Sequence, residues 1–275
     1  MVVVDPIITT INGFQVRYFG ILTALGLIFI YINVRSNFKQ GKFRLTRDEI
    51  LNWLIVVFLC GVIGARIYYV ALNAGYYFGK HSKWYEFLAI WRGGFAINGG
   101  VLLAAIALWF LSKKAKPSLE QLTDQILPSL FVLQALVGIG SFINGEAYGY
   151  PTELITGHVF KFGPASKLYA ETAIHPLMLY EAGFCLFSYF VLNSFRTQRF
   201  RDGFTSACAL LCYSIISFFV GSMRVEGSTI LGQDESVMFG IFGMLVSLGF
   251  ILGKRLYRKL PSPTEQFPST RKWSV

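Results

Sequence analysis

Long runs of apolar residues dominate this chain and constrain its fold more than any other feature. A helix that crosses the hydrocarbon core of a membrane needs about 20 mainly apolar residues. Because lipid cannot hydrogen-bond exposed backbone groups, such runs must form helices or lie buried within protein. Seven stretches reach or approach the required length: 18–34, 50–72, 96–111, 122–143, 176–192, 204–223 and 236–253.

The composition supports lipid as the solvent. Hydrophobic residues make up 54% of the chain and charged residues only 15%, whereas soluble domains are about 25% charged. The net charge of +10 lies in short clusters between the apolar runs. That placement is typical of contact with anionic lipid head groups, so we predict a membrane partner and no nucleic-acid partner.

The distribution of basic residues predicts the orientation of the helices. The odd-numbered connections and the start of the tail are basic, whereas the fourth and sixth connections are not; the second, with Lys80, Lys83 and Arg92, is an exception. Since basic loops face the cytoplasm, we predict an N-terminus outside and a C-terminus inside. The basic residues of the odd connections and the tail are Arg35, Lys39, Lys42, Arg44, Arg47, Lys113, Lys114, Lys116, Arg196, Arg199, Arg201, Lys254, Arg255, Arg258 and Lys259.

The remaining segments complete the predicted organisation. Connections 73–95 and 144–174 are rich in aromatic residues and are expected to form interfacial helices or a small extracytoplasmic cap. Residues 1–260 are predicted to form a single all-α, seven-helix membrane domain. The tail, 261–275, mixes Pro, Ser, Thr and charge and is predicted to be disordered. The four cysteines lie in apolar runs without metal-ligand spacing, so we expect neither a metal site nor a cofactor.

Ionisable residues within the apolar runs are candidates for function, because burying a charge in a membrane is costly. Arg66 lies near the end of the second run, where it either serves a site or extends to the interface. Asp124 near the start of the fourth run either stabilises a helix N-terminus or acts in catalysis. Glu181 lies six residues after His175 in the fifth run and could pair with Arg66 or Arg224.

Two glycine-rich polar segments interrupt the apolar pattern. Residues 138–149 bring Asn144, Glu146 and Tyr148 to the end of the fourth run, and residues 93–100 bring Asn98 to the start of the third. Glycine lets helices approach closely and lets a helix end turn sharply. Irregular backbone at membrane depth is tolerated where it lines a cavity. We therefore predict a pocket shared by Asn98, Asn144, Glu146 and Tyr148, with tight helix packing alone as the alternative.

Several short motifs resemble those of one family, the bacterial prolipoprotein diacylglyceryl transferases. Ser141-Phe-Ile-Asn-Gly-Glu-Ala-Tyr-Gly149 is similar to the core of the family signature. Four further motifs match in order, and the resemblance extends over residues 14–257. They are Arg17-Tyr-Phe-Gly20, Gly64-Ala-Arg-Ile67, Trp91-Arg-Gly-Gly94 and His175-Pro-Leu-Met-Leu-Tyr-Glu181.

The resemblance implies a seven-span protein of the bacterial cytoplasmic (inner) membrane. Such an enzyme transfers diacylglyceryl from phosphatidylglycerol to the lipobox cysteine of a lipoprotein precursor, and glycerol phosphate leaves. The implied catalytic residues are Glu146, Asn98 and Tyr148. The implied substrate-binding residues are Asn144, Gly149, Ser141, Arg66, Arg224, Phe19, His175 and Glu181.

The chain also departs from the family pattern at positions that bear on the chemistry. By this resemblance, Asn98 replaces a histidine, Ile139 and Ser217 replace arginines, Ser141 an asparagine, Phe19 a tyrosine and Gly221 a glutamate. Isoleucine cannot bind phosphate, and asparagine cannot act as a base at neutral pH. Two hypotheses follow: a divergent but active transferase, or a non-catalytic relative that binds phospholipid or lipoprotein as a partner subunit.

Overall fold

The computed structural model describes residues 5–11, 14–40, 46–78, 84–88, 94, 96–114, 118–195, 200–225, 229–230 and 233–258. Several predicted features lie outside these residues. They include the tail 261–275, part of the 91–94 motif and many of the basic connecting residues. The predictions made on them stay predictions.

The described residues form nine α-helices, one 3-10 helix and two short hairpins. The first part of the chain contains β1 (Ile7–Ile11), β2 (Phe14–Arg17), α1 (Tyr18–Gln40), α2 (Arg47–Leu72), α3 (Ala74–Phe78), a 3-10 helix (Trp84–Leu88) and α4 (Ile97–Lys114). The second part contains α5 (Leu119–Asn144), α6 (Gly163–Leu168), α7 (Leu177–Phe195), α8 (Phe204–Ser222), β3 (Thr229–Ile230), β4 (Gln233–Asp234) and α9 (Glu235–Gly253).

Six of these helices are long and apolar enough to cross a membrane, namely α1, α2, α5, α7, α8 and α9. The apolar part of α4, Asn98–Lys113, is shorter. Large apolar side chains point away from the protein along these helices: Phe187 and Phe190 are each 68% exposed, and Leu245 is 67% exposed. Exposed apolar patches of this kind require a non-aqueous neighbour. The prediction of a helical, multi-pass membrane protein is thereby confirmed.

The two hairpins are absent from the sequence-based prediction. Strand β1 has the sequence Ile-Ile-Thr-Thr-Ile, and it pairs antiparallel with β2. Its β-branched residues favour extended backbone, but a pair of short strands gives a weaker sequence signal than a long apolar helix. The hairpin leads into α1, whose first residue, Tyr18, donates its backbone N–H to the Pro6 carbonyl at 3.3 Å.

The contacts divide the chain into two compact units. Unit 1 consists of Met1–Asn33 and Thr123–Val275, and unit 2 consists of Val34–Leu122. The core of unit 1 lies among α5, α7 and α8, where Leu177, Cys185 and Leu192 are fully buried.

In unit 2, glycines allow α2 and α4 to pack backbone against backbone. A Cβ atom at Gly64 would collide with the carbonyl oxygen of Gly99, and one at Gly99 would collide with Gly64 and Tyr68. Ala96 also donates its N–H to the Ala65 carbonyl at 3.0 Å. Small residues are what close approach of two membrane helices requires.

We expect Gly64→Ala to destabilise the protein by about 1–3 kcal/mol, the usual cost of overpacking. The obstructing atom is a backbone oxygen, which cannot move aside as a side chain does. Gly249→Ala in α9 is the matched control, because a Cβ atom there meets nothing within 4 Å. The midpoint of thermal unfolding in detergent should fall for the first variant and not for the second. An equal response of the two variants would contradict this account of the helix pair.

In unit 1, Asp124 joins α5 to the first turn of α8. Its carboxylate accepts hydrogen bonds from the backbone N–H groups of Gly203 and Ser206, each at 2.7 Å, and from the Ser206 hydroxyl at 2.5 Å. These are N–H groups that a helix start leaves without intrahelical partners. Of the two readings of Asp124, the capping one therefore holds, but the helix that it caps is α8 rather than its own.

Candidate functional site

The signature segment, residues 141–149, begins in the last turn of α5 and ends that helix in a defined way. Gly145 has a φ of +67°, its N–H donates to the Phe142 carbonyl at 3.1 Å, and the Glu146 N–H donates to the Ser141 carbonyl at 3.0 Å. This pair of bonds is the Schellman arrangement, in which glycine occupies the left-handed position after a helix. The bend that the sequence predicted here is therefore a helix C-cap, and it turns Glu146 away from the helix axis.

A second glycine faces this turn from the following connection. Gly163, at the start of α6, has a φ of +78°. A Cβ atom on it would collide with the carbonyl oxygen of Asn144, and a Cβ atom on Gly145 would collide with the carbonyl oxygen of Phe162. The Ala165 N–H closes the contact by donating to the Gly145 carbonyl at 3.1 Å. The two backbones therefore hold the end of α5 in place.

Asn144 and Glu146 form a polar pair at this end. The Asn144 amide donates to Glu146 Oε1 at 3.3 Å. Asn144 is 9% exposed, and its Oδ1 is buried without a hydrogen-bond partner among the described residues. Glu146 is exposed. An unpartnered buried acceptor is costly, so the pair is a candidate for binding a donor from outside the protein.

Although much of the Glu146 side chain is exposed, partial desolvation of its carboxyl raises its pKa above the ordinary value, and hydrogen bonds from Asn144 and Ser141 and the charge of Arg17 act in the opposite direction. Arg17 is the last residue of β2 and also bonds Gln15 Oε1 at 2.8 Å. The site thus has a carboxyl group and a guanidinium within electrostatic range of each other.

Backbone pairing joins the end of the signature segment to two other predicted site residues. Gly149 donates its N–H to the His175 carbonyl at 3.0 Å, and His175 donates its own to the Tyr150 carbonyl at 3.1 Å. Gly149 also forms a bridge with Arg224, which follows α8. A Cβ atom at Gly149 would lie 3.0 Å from His175 Cβ and from the Met223 oxygen. Glycine here lets three segments of unit 1 meet.

The side chains of His175 and Arg224 are placed differently. His175 Nδ1 lies 3.1 Å from the Tyr180 hydroxyl, which donates to Thr156 Oγ1 at 2.8 Å. Arg224 Nη1 donates to Ser236 Oγ at 3.4 Å, whereas its Nε is buried with no partner among the described residues. The arginine therefore retains an unused donor.

Glu181 lies in α7 of unit 1, and its hydrogen bond within the described part of the chain is to an amide. Its Oε1 accepts a hydrogen bond from the Gln134 amide at 2.8 Å. Glu181 and Arg224 both act electrostatically on Tyr213, which also hydrogen-bonds Ser217. A polar group therefore lies between α5, α7 and α8, below the signature segment.

Three further residues of unit 1 that the sequence analysis named, Tyr148, Ile139 and Phe19, take part in packing. Tyr148 is 3% exposed and lies in an apolar cluster with Phe160, Ile174 and Met178. Ile139 packs against the apolar core of α7 and α8. Phe19 contacts α5, since a Cβ atom at Gly140 would lie 2.9 Å from its Cα. The catalytic role predicted for Tyr148 stays a prediction.

Arg66 and Asn98 belong to unit 2. Arg66 is 6% exposed, and its guanidinium donates to the carbonyls of Glu86, Phe87 and Gly94, each at 2.9 Å. It therefore ties the second connection to α2 rather than extending to the interface. The cavity of about 340 Å³ beside it is lined by Arg66, Tyr69, Asn73, Tyr76, Tyr77, Glu86 and Gly94. The common pocket of Asn98 and Glu146 stays a prediction.

The sequence-based list of site residues omitted several partners found here. Arg17 appeared only as a motif landmark, and Tyr180, Thr156, Gln134 and Gly163 were not singled out. Arg17 acts on Glu146 from 129 positions earlier in the chain, so no local charge pattern marks it. The others contribute contacts between segments distant in the chain, which local patterns do not reveal.

Comparison with known proteins identifies the family of this chain. The family model described as "Prolipoprotein diacylglyceryl transferase" matches residues 6–256. Proteins named phosphatidylglycerol–prolipoprotein diacylglyceryl transferase are similar over most of their length. The relative from Lactobacillus acidophilus is 32% identical, covering 91% of this chain and 86% of the relative. The relative from Lysinibacillus sphaericus is 29% identical, covering 92% of this chain and 93% of the relative. The relative from Thermotoga maritima is 30% identical, covering 94% of this chain and 86% of the relative. With a match across nearly its whole length, this chain belongs to the prolipoprotein diacylglyceryl transferase family.

Proposed function

We propose that this protein transfers the diacylglyceryl group of phosphatidylglycerol to the cysteine thiol of a lipoprotein precursor. The observation that carries the proposal is the Asn144–Glu146 pair, with its buried, unpartnered Asn144 Oδ1. The glycerol head group of phosphatidylglycerol carries hydroxyl donors, which an amide oxygen and a carboxylate accept. Glu146 is then the catalytic carboxylate, and Asn144 binds the head group beside it.

The phosphate of the same lipid needs cationic donors. Arg17 acts on Glu146, and Arg224 adjoins Gly149 and retains an unused Nε–H. Charge-assisted hydrogen bonds to phosphate are the stronger class of hydrogen bond. We infer that these two arginines take over part of the role of the arginines that the family resemblance assigns to positions 139 and 217.

We expect this protein to transfer the diacylglyceryl group more slowly than its relatives do, because Ile139 and Ser217 stand where the family resemblance implies arginines. Each charge-assisted hydrogen bond contributes about 1.5–3 kcal/mol, and about 1.4 kcal/mol corresponds to a tenfold change in rate. A single missing contact in the transition state therefore costs roughly a factor of 10 to 100. Ser217 is the position to restore, because it hydrogen-bonds Tyr213, on which the charges of Glu181 and Arg224 also act. An arginine at Ile139 would instead enter an apolar core.

The proposal includes a topology for the bacterial cytoplasmic membrane. Residues 1–260 form one domain that crosses the membrane seven times, with α4 as the shortest crossing, the N-terminus outside and the C-terminus in the cytoplasm. The alternation of basic loops supports this orientation. It places Asn144 and Glu146 on the outer side, where a lipoprotein precursor presents its cysteine. A reporter inserted at Gly157 should be outside, and one fused after Ser194 should be cytoplasmic.

A transfer assay with purified protein tests the reaction. Vesicles containing phosphatidylglycerol and a lipobox peptide should yield a peptide whose mass has increased by one diacylglyceryl group. Ser217→Arg should raise the rate about tenfold or more. Lys161→Ala removes an exposed cation from the same connection as Gly163, and it should leave the rate unchanged. Complementation of a strain depleted of its own transferase gives the corresponding test in cells.

The alternative function is a non-catalytic relative that binds phospholipid or lipoprotein as a partner subunit. The absent histidine and arginines favour it. Absence of any adduct with both the unmodified chain and Ser217→Arg, together with retained binding of phosphatidylglycerol, would establish this alternative and reject the transferase.

A further inference from the structure

The reaction needs a group that takes the proton from the cysteine thiol, because the thiolate is the nucleophile. Asparagine, as at position 98, has no basic nitrogen at neutral pH. Imidazole is the side chain best suited to this task. Of the three histidines in the sequence, His158 and His175 lie among the described residues.

The two described histidines differ in their surroundings. His158 lies against the rings of Phe142 and Phe160, with both centroid distances 4.9 Å, and burial lowers its pKa. His175 is half-buried and has a defined hydrogen-bond partner, the Tyr180 hydroxyl. Its backbone carbonyl accepts from Gly149, the last residue of the signature segment, and its backbone N–H donates to Tyr150, the next residue. Of these two histidines, His175 is the one whose ring has a hydrogen-bond partner and whose backbone pairs with the end of the signature segment.

The chain of hydrogen bonds from His175 through Tyr180 to Thr156 favours one tautomer of the imidazole. Tyr180 has one hydroxyl hydrogen, which it donates to Thr156 Oγ1 at 2.8 Å. A phenol is a stronger donor than an aliphatic hydroxyl, and the exposed Thr156 hydroxyl can donate to water. When Tyr180 donates to Thr156, its oxygen accepts a hydrogen bond from His175 Nδ1 at 3.1 Å. In a neutral imidazole this leaves Nε2 with a free lone pair.

We propose that His175 is the general base of the transfer reaction and that Tyr180 is the positioning residue that fixes its tautomer. This inference rests on the proposed function. The thiol proton passes to His175 Nε2 as the sulfur bonds to the glyceryl carbon that carries the phosphate ester. The bond from that carbon to oxygen breaks, and its electron pair leaves with glycerol phosphate. The imidazolium then releases its proton to solvent.

Kinetics and spectroscopy test the two roles separately. His175→Asn should lower kcat about 100-fold, and added imidazole should restore part of the rate. Tyr180→Phe should lower kcat about tenfold with KM unchanged. Nitrogen-15 NMR of histidine-labelled protein should show hydrogen on His175 Nδ1, with the Nε2–H form increasing in Tyr180→Phe. The matched control, His158→Asn, should retain kcat within threefold. Retention of kcat by His175→Asn, or hydrogen on Nε2 in the unmodified chain, would overturn the proposal.

A second measurement separates failure of this inference from failure of the transferase proposal. Iodoacetamide alkylates thiolate, so a lipobox peptide bound to the unmodified chain should react faster than one bound to His175→Asn, even without lipid. If the unmodified chain accelerates alkylation but transfers no diacylglyceryl group to the peptide, His175 acts as a base and the transferase proposal is wrong. If the peptide is alkylated equally fast on the unmodified chain and on His175→Asn, His175 is not the general base, whatever the transfer assay shows.

Discussion

Replacement of Gly145 by alanine should abolish transfer to a lipobox peptide. A side chain at a φ of +67° costs about 1–2 kcal/mol, and the new Cβ atom would also collide with the Phe162 carbonyl oxygen. Relief requires the end of α5 or the start of α6 to move. Glu146, which follows Gly145 directly, would move with it. A displacement of about 1 Å in a catalytic group reduces rates by roughly 100-fold.

The control for Gly145→Ala is Gly183→Ala in α7, where a Cβ atom meets nothing within 4 Å. That variant should retain normal transfer and should fold at least as well, since alanine favours a helix over glycine. Both proteins should be compared by peptide mass and by circular dichroism in detergent. Normal transfer by Gly145→Ala would show that the C-cap of α5 does not position the reacting groups.

Glu146→Gln should lower transfer by roughly 10- to 100-fold while leaving the protein folded. The amide keeps the shape of the side chain but replaces an ionised acceptor with a neutral one, which weakens a bond in the class of about 1.5–3 kcal/mol. The effect should appear in kcat/KM for phosphatidylglycerol. Transfer unchanged in Glu146→Gln would show that the carboxylate does not act on the lipid.

The same variant has a predictable pH dependence of stability. Because burial raises the pKa of Glu146, the native state binds its proton more tightly than the unfolded state does. Below the ordinary pKa of 4.5, Glu146 is protonated in both states and its contribution to the stability of the folded protein is fully present. That contribution is lost as the pH rises through the raised pKa of the folded state. Glutamine resembles the protonated form, so Glu146→Gln should unfold at a higher temperature than the unmodified chain at about pH 8. This advantage should shrink at about pH 4, and a glutamine variant less stable at the higher pH would contradict it.

Membrane helices were the part of the fold that the sequence predicts best. Lipid imposes both a length and a composition on a crossing segment, so the apolar runs 204–223 and 236–253 nearly coincide with α8 and α9. Helix ends were less well predicted, because local bonds determine them. Helix α2 begins earlier than its apolar run, at Arg47, where Thr46 and Glu49 form a reciprocal capping box.

The candidate site was predictable where a single segment determines it. Asn144, Gly145 and Glu146 lie consecutively, and the glycine between two polar residues indicated a turn. Gly163 makes its contact from 18 positions later in the chain, and the Asp124 bonds join residues 79 and 82 positions apart. No periodicity marks such pairs. Arg66 illustrates the same limit: its three carbonyl acceptors come from residues 86, 87 and 94, which the apolar pattern around it does not reveal, and its predicted substrate-binding role stays a prediction.

The bond between Asp124 and the start of α8 has a consequence for synthesis. A membrane protein is made from its N-terminus, so α5 enters the bilayer while Gly203 and Ser206 are still to be translated. Until they arrive, the Asp124 carboxylate has neither backbone donor, and its burial beside α8 is not yet possible. The packing of α5 against α8 therefore waits for the last third of the chain. A nascent protein that stops after α7 should remain open to quality-control proteases, even though every residue of the signature segment has already been made.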